Sequence, residues 1–203
     1  MSTEKKLTEL KREDIIEAAV HEFRANGFRA TSMDRIAKTA QVSKRTVYNH
    51  FESKETLFQA IAQELCDNAT HVSDFTYDPH TPVETQLRAI AEKQMNLLTS
   101  DDFLSTLKMI TSESLASPDL TRENFESFQD DSNIGVVKWV KKATKDGKLS
   151  VTDANMAGIQ FLTLIDAFAL WPQLYGIKPV PTKKEQKKVI DSAVLMFTNT
   201  YVK

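Results

Sequence analysis

Along this chain of 203 residues, apolar side chains recur at the spacing of a helix, and no segment shows the alternation of a strand. Ile15, Ile16, Ala19, Val20 and Phe23 share one face of a segment from 12 to 26, and Gly27 supplies a stop. Thr31 and Ser32 offer caps for a short helix near 33–40, Ser43 for another near 44–50, and Ser53 for one from 54 to about 71. Thr81-Pro82-Val83-Glu84 reads as a capping box that opens a helix with Leu87, Ile90, Ala91, Gln94 and Leu98 on one side. Ser100 caps the next. Ser117-Pro118 opens a long one that runs to Gly147. Asp153 starts a helix ending near Trp171-Pro172, and Thr182 to Glu185 forms a second capping box before Val189, Ile190, Ala193, Val194, Phe197 and Tyr201. Only 5 Gly and 6 Pro interrupt the chain. The expected fold is all-α with about nine helices.

The length permits a sizeable core without disulfides, and the only cysteine, Cys66, has no partner in the chain. A reducing compartment follows, and Cys66 is expected to be a buried, inert thiol. The segment 1–11 is polar and charged, unlike a signal peptide. The most apolar stretch, Phe161 to Trp171, is only 11 residues long and contains Asp166, too short and too polar to span a bilayer. The chain is therefore expected to be soluble and cytoplasmic. His21, His50, His71 and His80 lack metal-ligand spacing, and there is no phosphate loop, nucleophile motif or carboxylate pair. No metal, cofactor or enzymatic activity is expected.

The net charge of −2 hides an asymmetry. Between 29 and 54 stand Arg29, Arg35, Lys38, Lys44, Arg45 and Lys54, against only Asp34 and Glu52. A basic patch on an acidic protein suggests a polyanion bound at one end. Within it, the two short helices are joined by Gln41-Val42-Ser43 and share apolar Ile36, Ala40, Val47 and Phe51, the pattern of a helix-turn-helix. With Val47 at zero and about 100° per residue, Phe51 falls at about 40°, while Arg45 and Asn49 fall at about 160° and about 200°, opposite the core. Lys44 and Tyr48 lie on one flank, Thr46 on the other, and His50 beside the core. Arg pairs with guanine, Asn with adenine, and Thr touches the thymine methyl, whereas Tyr and Lys suit phosphates.

The run from Ile16, Ala19, Phe23 and Gly27 through Ala40-Gln41-Val42-Ser43-Lys44-Arg45-Thr46-Val47-Tyr48-Asn49-His50-Phe51 to Lys54, Glu55 and Leu57 closely resembles the TetR family signature. The stretches Phe103 to Leu120 and Gly147 to Phe161 loosely resemble its AefR-like branch. The resemblance implies a three-helix DNA-binding domain at 1–55 and a helical effector-binding and dimerisation domain at 56–203. It matches Thr31, Ser32, Tyr48, His50 and Lys54 to positions that often hold phosphates, and Lys44, Arg45, Thr46 and Asn49 to positions that often reach bases. One departure is Gln41, where the family usually has a glycine able to turn left-handed.

By the same resemblance, the larger domain holds a small apolar or amphipathic effector. Apolar candidates for its cavity are Met95, Leu98, Phe103, Ile110, Phe125, Phe128, Trp139, Phe161 and Trp171, any of which can equally be plain core. Asp166, inside an apolar helix, either orients a ligand, pairs with a base or lies at a wet edge. Helices 153–171 and 185–202 are apolar around much of their circumference, which suits a homodimer built as a four-helix bundle with their symmetry mates. The expected function is a repressor released from operator DNA by a ligand. A nucleoid-associated protein of the same fold, acting through protein partners, is the alternative.

Overall fold

The structure, a computed structural model, describes residues 3–72, 75–117, 120 and 135–202. Among the described residues there are ten helices: α1 (Thr3–Asn26), α2 (Met33–Thr39), α3 (Lys44–His50), α4 (Lys54–Val72), α5 (Val83–Leu98), α6 (Asp101–Ala116), α7 (Gly135–Lys145), α8 (Ala154–Ala169), α9 (Trp171–Leu174) and α10 (Lys183–Tyr201). The only strand-like pairing described is an isolated bridge between Leu149 and Val202. The tenth helix relative to expectation is α9, one turn with Pro172 at its start, where the segment from Asp153 breaks at Leu170. Proline cannot continue a hydrogen-bonded helix, so the chain restarts there. α1 begins well before the apolar stripe, because Glu, Lys and Leu are good helix formers. Of the helix expected from Ser117-Pro118 to Gly147, residues 118, 119 and 121–134 lie outside the described residues, and α7 covers Gly135–Lys145.

The cap signals divide. Thr182 and Glu185 form the expected capping box, with the Thr182 amide donating to the Glu185 carboxylate over 2.8 Å. The box at Thr81 does not form: Thr81 donates to Asp78 instead, and Pro82 stands at the cap with no side-chain bond. The Gln86 amide group donates to the Asp78 and Thr81 carbonyls (2.7 Å each), and its oxygen accepts from the Trp139 indole over 2.9 Å.

The chain divides into two compact units, 1–66 with 105–127, and 67–104 with 128–203. In the first, Ile15, Ile16, Ala19, Phe23, Ile36, Val47, Leu57, Phe58 and Ile61 form one core, and Phe23, Phe28 and Phe58 pack as an aromatic trio with centroids 5.1–6.2 Å apart. Ile110, from the second half of α6, belongs to this core. In the second unit, Leu87, Ile90, Met95, Leu98, Val136, Trp139, Val140, Phe161, Ile165, Ile190, Val194 and Phe197 make a larger core from α5, α7, α8 and α10. α7 and α8 meet closely at Gly158, where a Cβ would stand 2.9 Å from Val137 Cγ2.

Candidate nucleic-acid interface

Caps and buried apolar residues hold α3 in place. Ser43 accepts from the Thr46 amide (3.0 Å), and the Ser43 and Thr46 hydroxyls are bonded to each other (2.7 Å). Val47 and Phe51 are buried beneath the helix. The turn closes through Val42 N–H donating to the Ala37 carbonyl (3.0 Å). Gln41 has φ +54°, the left-handed conformation that its side chain disfavours. Gln41→Gly should relieve this strain and raise the stability of the first unit by about 1 kcal/mol, read as a higher denaturation midpoint. An unchanged or lower midpoint would show that the turn carries no such strain.

On the outer side of α3, Arg45, Tyr48 and Asn49 are exposed. Among the described residues, no bond engages the Arg45 or Asn49 side chain, so their donors are available. Lys44 pairs with Asp34 of α2 (2.7 Å), a hydrogen bond that raises its pKa, and its ammonium lies 5.9 Å from the Tyr48 ring centroid. His50 is half-buried beside Phe51. Ser32 is exposed and caps α2, accepting from Arg35 N–H at 3.3 Å.

Two residues matched to phosphate positions are occupied elsewhere. Thr31 is buried, and its hydroxyl lies within bonding distance of the Gly27 and Glu22 carbonyls at 2.8 and 3.2 Å. The Lys54 ammonium donates to the carbonyls of Phe28 (2.7 Å), Thr31 (2.9 Å) and Arg29 (3.3 Å), over the Phe28 ring at 4.4 Å. It thereby closes the loop from α1 to α2. Lys54→Ala should lower stability by about 1–3 kcal/mol while leaving the salt dependence of DNA binding at its wild-type slope. Titrations at several salt concentrations, beside a denaturation curve, check both.

A residue that sequence reasoning passed over is Glu22. Its side chain is 7% exposed and faces α2, accepting from Thr39 Oγ1 (2.6 Å), Arg35 Nε (2.6 Å) and, on α1, Asn26 Nδ2 (2.9 Å). The bond from Thr39 and the Arg35 charge hold its pKa below the usual carboxylate range, despite burial. The signal was there: a carboxylate at helical spacing among Ala18, Ala19 and Phe23 needs a partner.

The effector candidates are scattered. Met95, Leu98, Trp139 and Phe161 are buried in the second core, and Phe103 is half-buried against it. Ile110 packs in the first core instead, since the part of α6 that carries it belongs to the first unit. Trp171 is exposed and stacks on Tyr175 at 6.2 Å, held out by the break before α9. Phe125 and Phe128 lie outside the described residues. Asp166 is half-buried, its carboxylate accepts from Gln94 Nε2 (3.0 Å), and burial pushes its pKa up. Cys66 is half-buried rather than buried. No described helix is long and apolar enough to cross a membrane, and no three His, Cys, Asp or Glu of the described residues are placed to hold a metal.

Residues 15–61 match the model of the tetR family of bacterial regulatory proteins, and residues 85–203 match that of the AefR-like transcriptional repressor C-terminal domain. The chain belongs to the TetR family. A TetR family transcriptional regulator from Pseudomonas syringae pv. tomato str. DC3000 shares its fold with TM-score 0.77 and 37% identity, over 94% of this chain and 96% of that one. The flavonoid-responsive regulator FrrA gives TM-score 0.76 and 27% identity, over 96% of this chain and 98% of that one. The HTH-type transcriptional regulator YhgD of Bacillus subtilis (strain 168) is 40% identical over 68 residues, 34% of this chain and 36% of that protein, so the match spans little more than a third of that relative. In this TetR-family chain, α2 and α3 are the helix-turn-helix, inside the segment matched to the N-terminal model.

Proposed function

We propose that the protein is a cytoplasmic, homodimeric repressor that binds an inverted-repeat operator through α3 and is released by a small apolar or amphipathic effector held by the second unit. The carrying observation is the outer face of α3, where Arg45 and Asn49 stand exposed with free donors and no acidic residue beside them on the helix. Arg45, Asn49, Lys44 and Thr46 read base edges; Tyr48, His50 and Ser32 meet phosphates. Lys44 must leave Asp34 to do so, and Thr46 is restrained by its bond to Ser43. Thr31 and Lys54 support the interface from behind.

A dimer places two α3 helices about 34–36 Å apart in successive major grooves. Its seam is an apolar groove of about 810 Å³ between α8 and α10, with Leu164, Phe168, Val189 and Met196 in its walls, a surface that fits a second copy about a two-fold axis. FrrA, flavonoid-responsive and 27% identical, supports a small amphipathic ligand for this chain. The ligand acts by binding the released state more tightly than the DNA-bound one. The protein works by binding, with no catalytic step.

Selection of duplexes from a random library tests the reading. Enrichment of one inverted repeat, with half-sites about one helical turn apart, is the expected result. Enrichment of no common sequence would replace it with the nucleoid-associated alternative.

A further inference from the structure

We propose that Glu22 is a positioning residue for DNA recognition: through Thr39 and Arg35 its carboxylate sets where α2, and with it α3, stands on α1. Arg35 and Thr39 are four residues apart on α2, so they lie on one face about 6 Å apart along the axis. Two bonds at that separation define both the rotation of α2 and its slide along α1. The apolar contacts of Met33, Ile36 and Ala37 are non-directional and define neither so closely. Both carboxylate oxygens are used, Oε1 by Thr39 and Oε2 by Arg35 and Asn26. The other titratable group described beside it is His21, whose Nδ1 is 3.9 Å from Oε1.

The position of α2 is passed on to α3. Val42 N–H is bonded to the Ala37 carbonyl, and the two helices share the core through Ile36 and Val47. A shift of α2 on α1 therefore moves Arg45 and Asn49 as a body. Base-edge pairing tolerates such a shift poorly, because each bond needs its donor near 2.9 Å and well aligned. Attraction to phosphates tolerates it well, because it is a sum of screened charges. The expected signature is thus a loss of discrimination at retained general affinity.

The inference rests on α3 as the reading helix, which the preference of the wild-type protein for a duplex it has itself selected tests first. Affinities for that duplex and for a scrambled duplex of equal length are then compared by fluorescence anisotropy, in Thr39→Val, in Glu22→Gln and in the triple variant Glu22→Leu, Arg35→Met, Thr39→Val. The triple variant keeps the net charge and removes the buried Glu22 carboxylate together with its two exposed partners, Arg35 and Thr39, so that no buried charge is left unpaired. The ratio of the two affinities is the deciding quantity, since partial unfolding or altered charge changes both together. The ratio should fall about tenfold in the triple variant and less in the single ones, as expected for one impaired base contact. A folded triple variant with the wild-type ratio overturns the proposal. If the triple variant does not fold, wild-type ratios in both Thr39→Val and Glu22→Gln overturn it equally.

Discussion

Arg45→Ala is expected to cost about 1–3 kcal/mol per half-site, and therefore about 2–6 kcal/mol for a dimer on a symmetric operator. That is a loss of roughly 30-fold to 10⁴-fold in affinity. The reasoning starts from availability. Arg45 is exposed, and among the described residues no bond engages its guanidinium, so no internal contact is broken by its removal. Stability should stay within about 0.5 kcal/mol of wild type, as for exposed residues without special roles. The loss should also be selective. A bidentate contact to one guanine discriminates at one base pair, so the variant should stop distinguishing bases there and keep its preferences elsewhere. Binding to the selected operator and to every single-base variant measures this. Wild-type preferences at every position would remove Arg45 from the reading face.

Met196→Asp is expected to convert the dimer to monomer at micromolar concentration, whereas Phe197→Asp should unfold the second unit. Phe197 lies on the apolar stripe of α10, and the structure turns it inward. Phe197 is 3% exposed, with its ring 5.2 Å from Phe161 and 4.9 Å from Tyr201. Met196 is 53% exposed and Phe168 of α8 60%, and both border the groove between the two helices. In an isologous interface, the carboxylate introduced by Met196→Asp would be buried unpaired on both sides of the axis, at a cost of several kcal/mol each time. DNA affinity should fall with it, since a monomer makes one half-site contact. Sedimentation equilibrium and circular dichroism separate the two outcomes. A folded, dimeric Met196→Asp variant would move the interface to another surface.

Acid should act on the first unit through Glu22. Its pKa is lowered in the folded state, so its contribution is present above the unfolded carboxylate value and disappears as pH falls through the lower folded one. Asp166 has the opposite sign. Burial raises its pKa, so the folded second unit loses stability as pH rises from the unfolded value through the raised one.

The short-range features of the chain were legible because their causes are short-range. Val47 and Phe51 against Arg45 and Asn49 follow from about 100° per residue once a helix is granted, and Ser43, Ser53 and Thr182 cap where their own next few amides need an acceptor. At Gln41 the chain keeps the left-handed turn for which the family usually has glycine, although the residue alone left open a reshaped turn. Thr81 was misread because a hydroxyl has a choice of partners, and here it donates to Asp78.

The helical fold, the place of the helix-turn-helix and the side of α3 that faces out could all be read from the order of residues, since each depends on neighbours within a few positions of one another. Packing in three dimensions settled the rest: that Thr31 and Lys54 serve the loop from α1 to α2, that Glu22 grips α2, that Ile110 joins the first core and that Met196 rather than Phe197 faces out. A hydroxyl, an ammonium or a wide apolar stripe satisfies several environments equally well in one dimension. The choice among them is made by whichever carbonyl, carboxylate or ring the rest of the chain brings within reach.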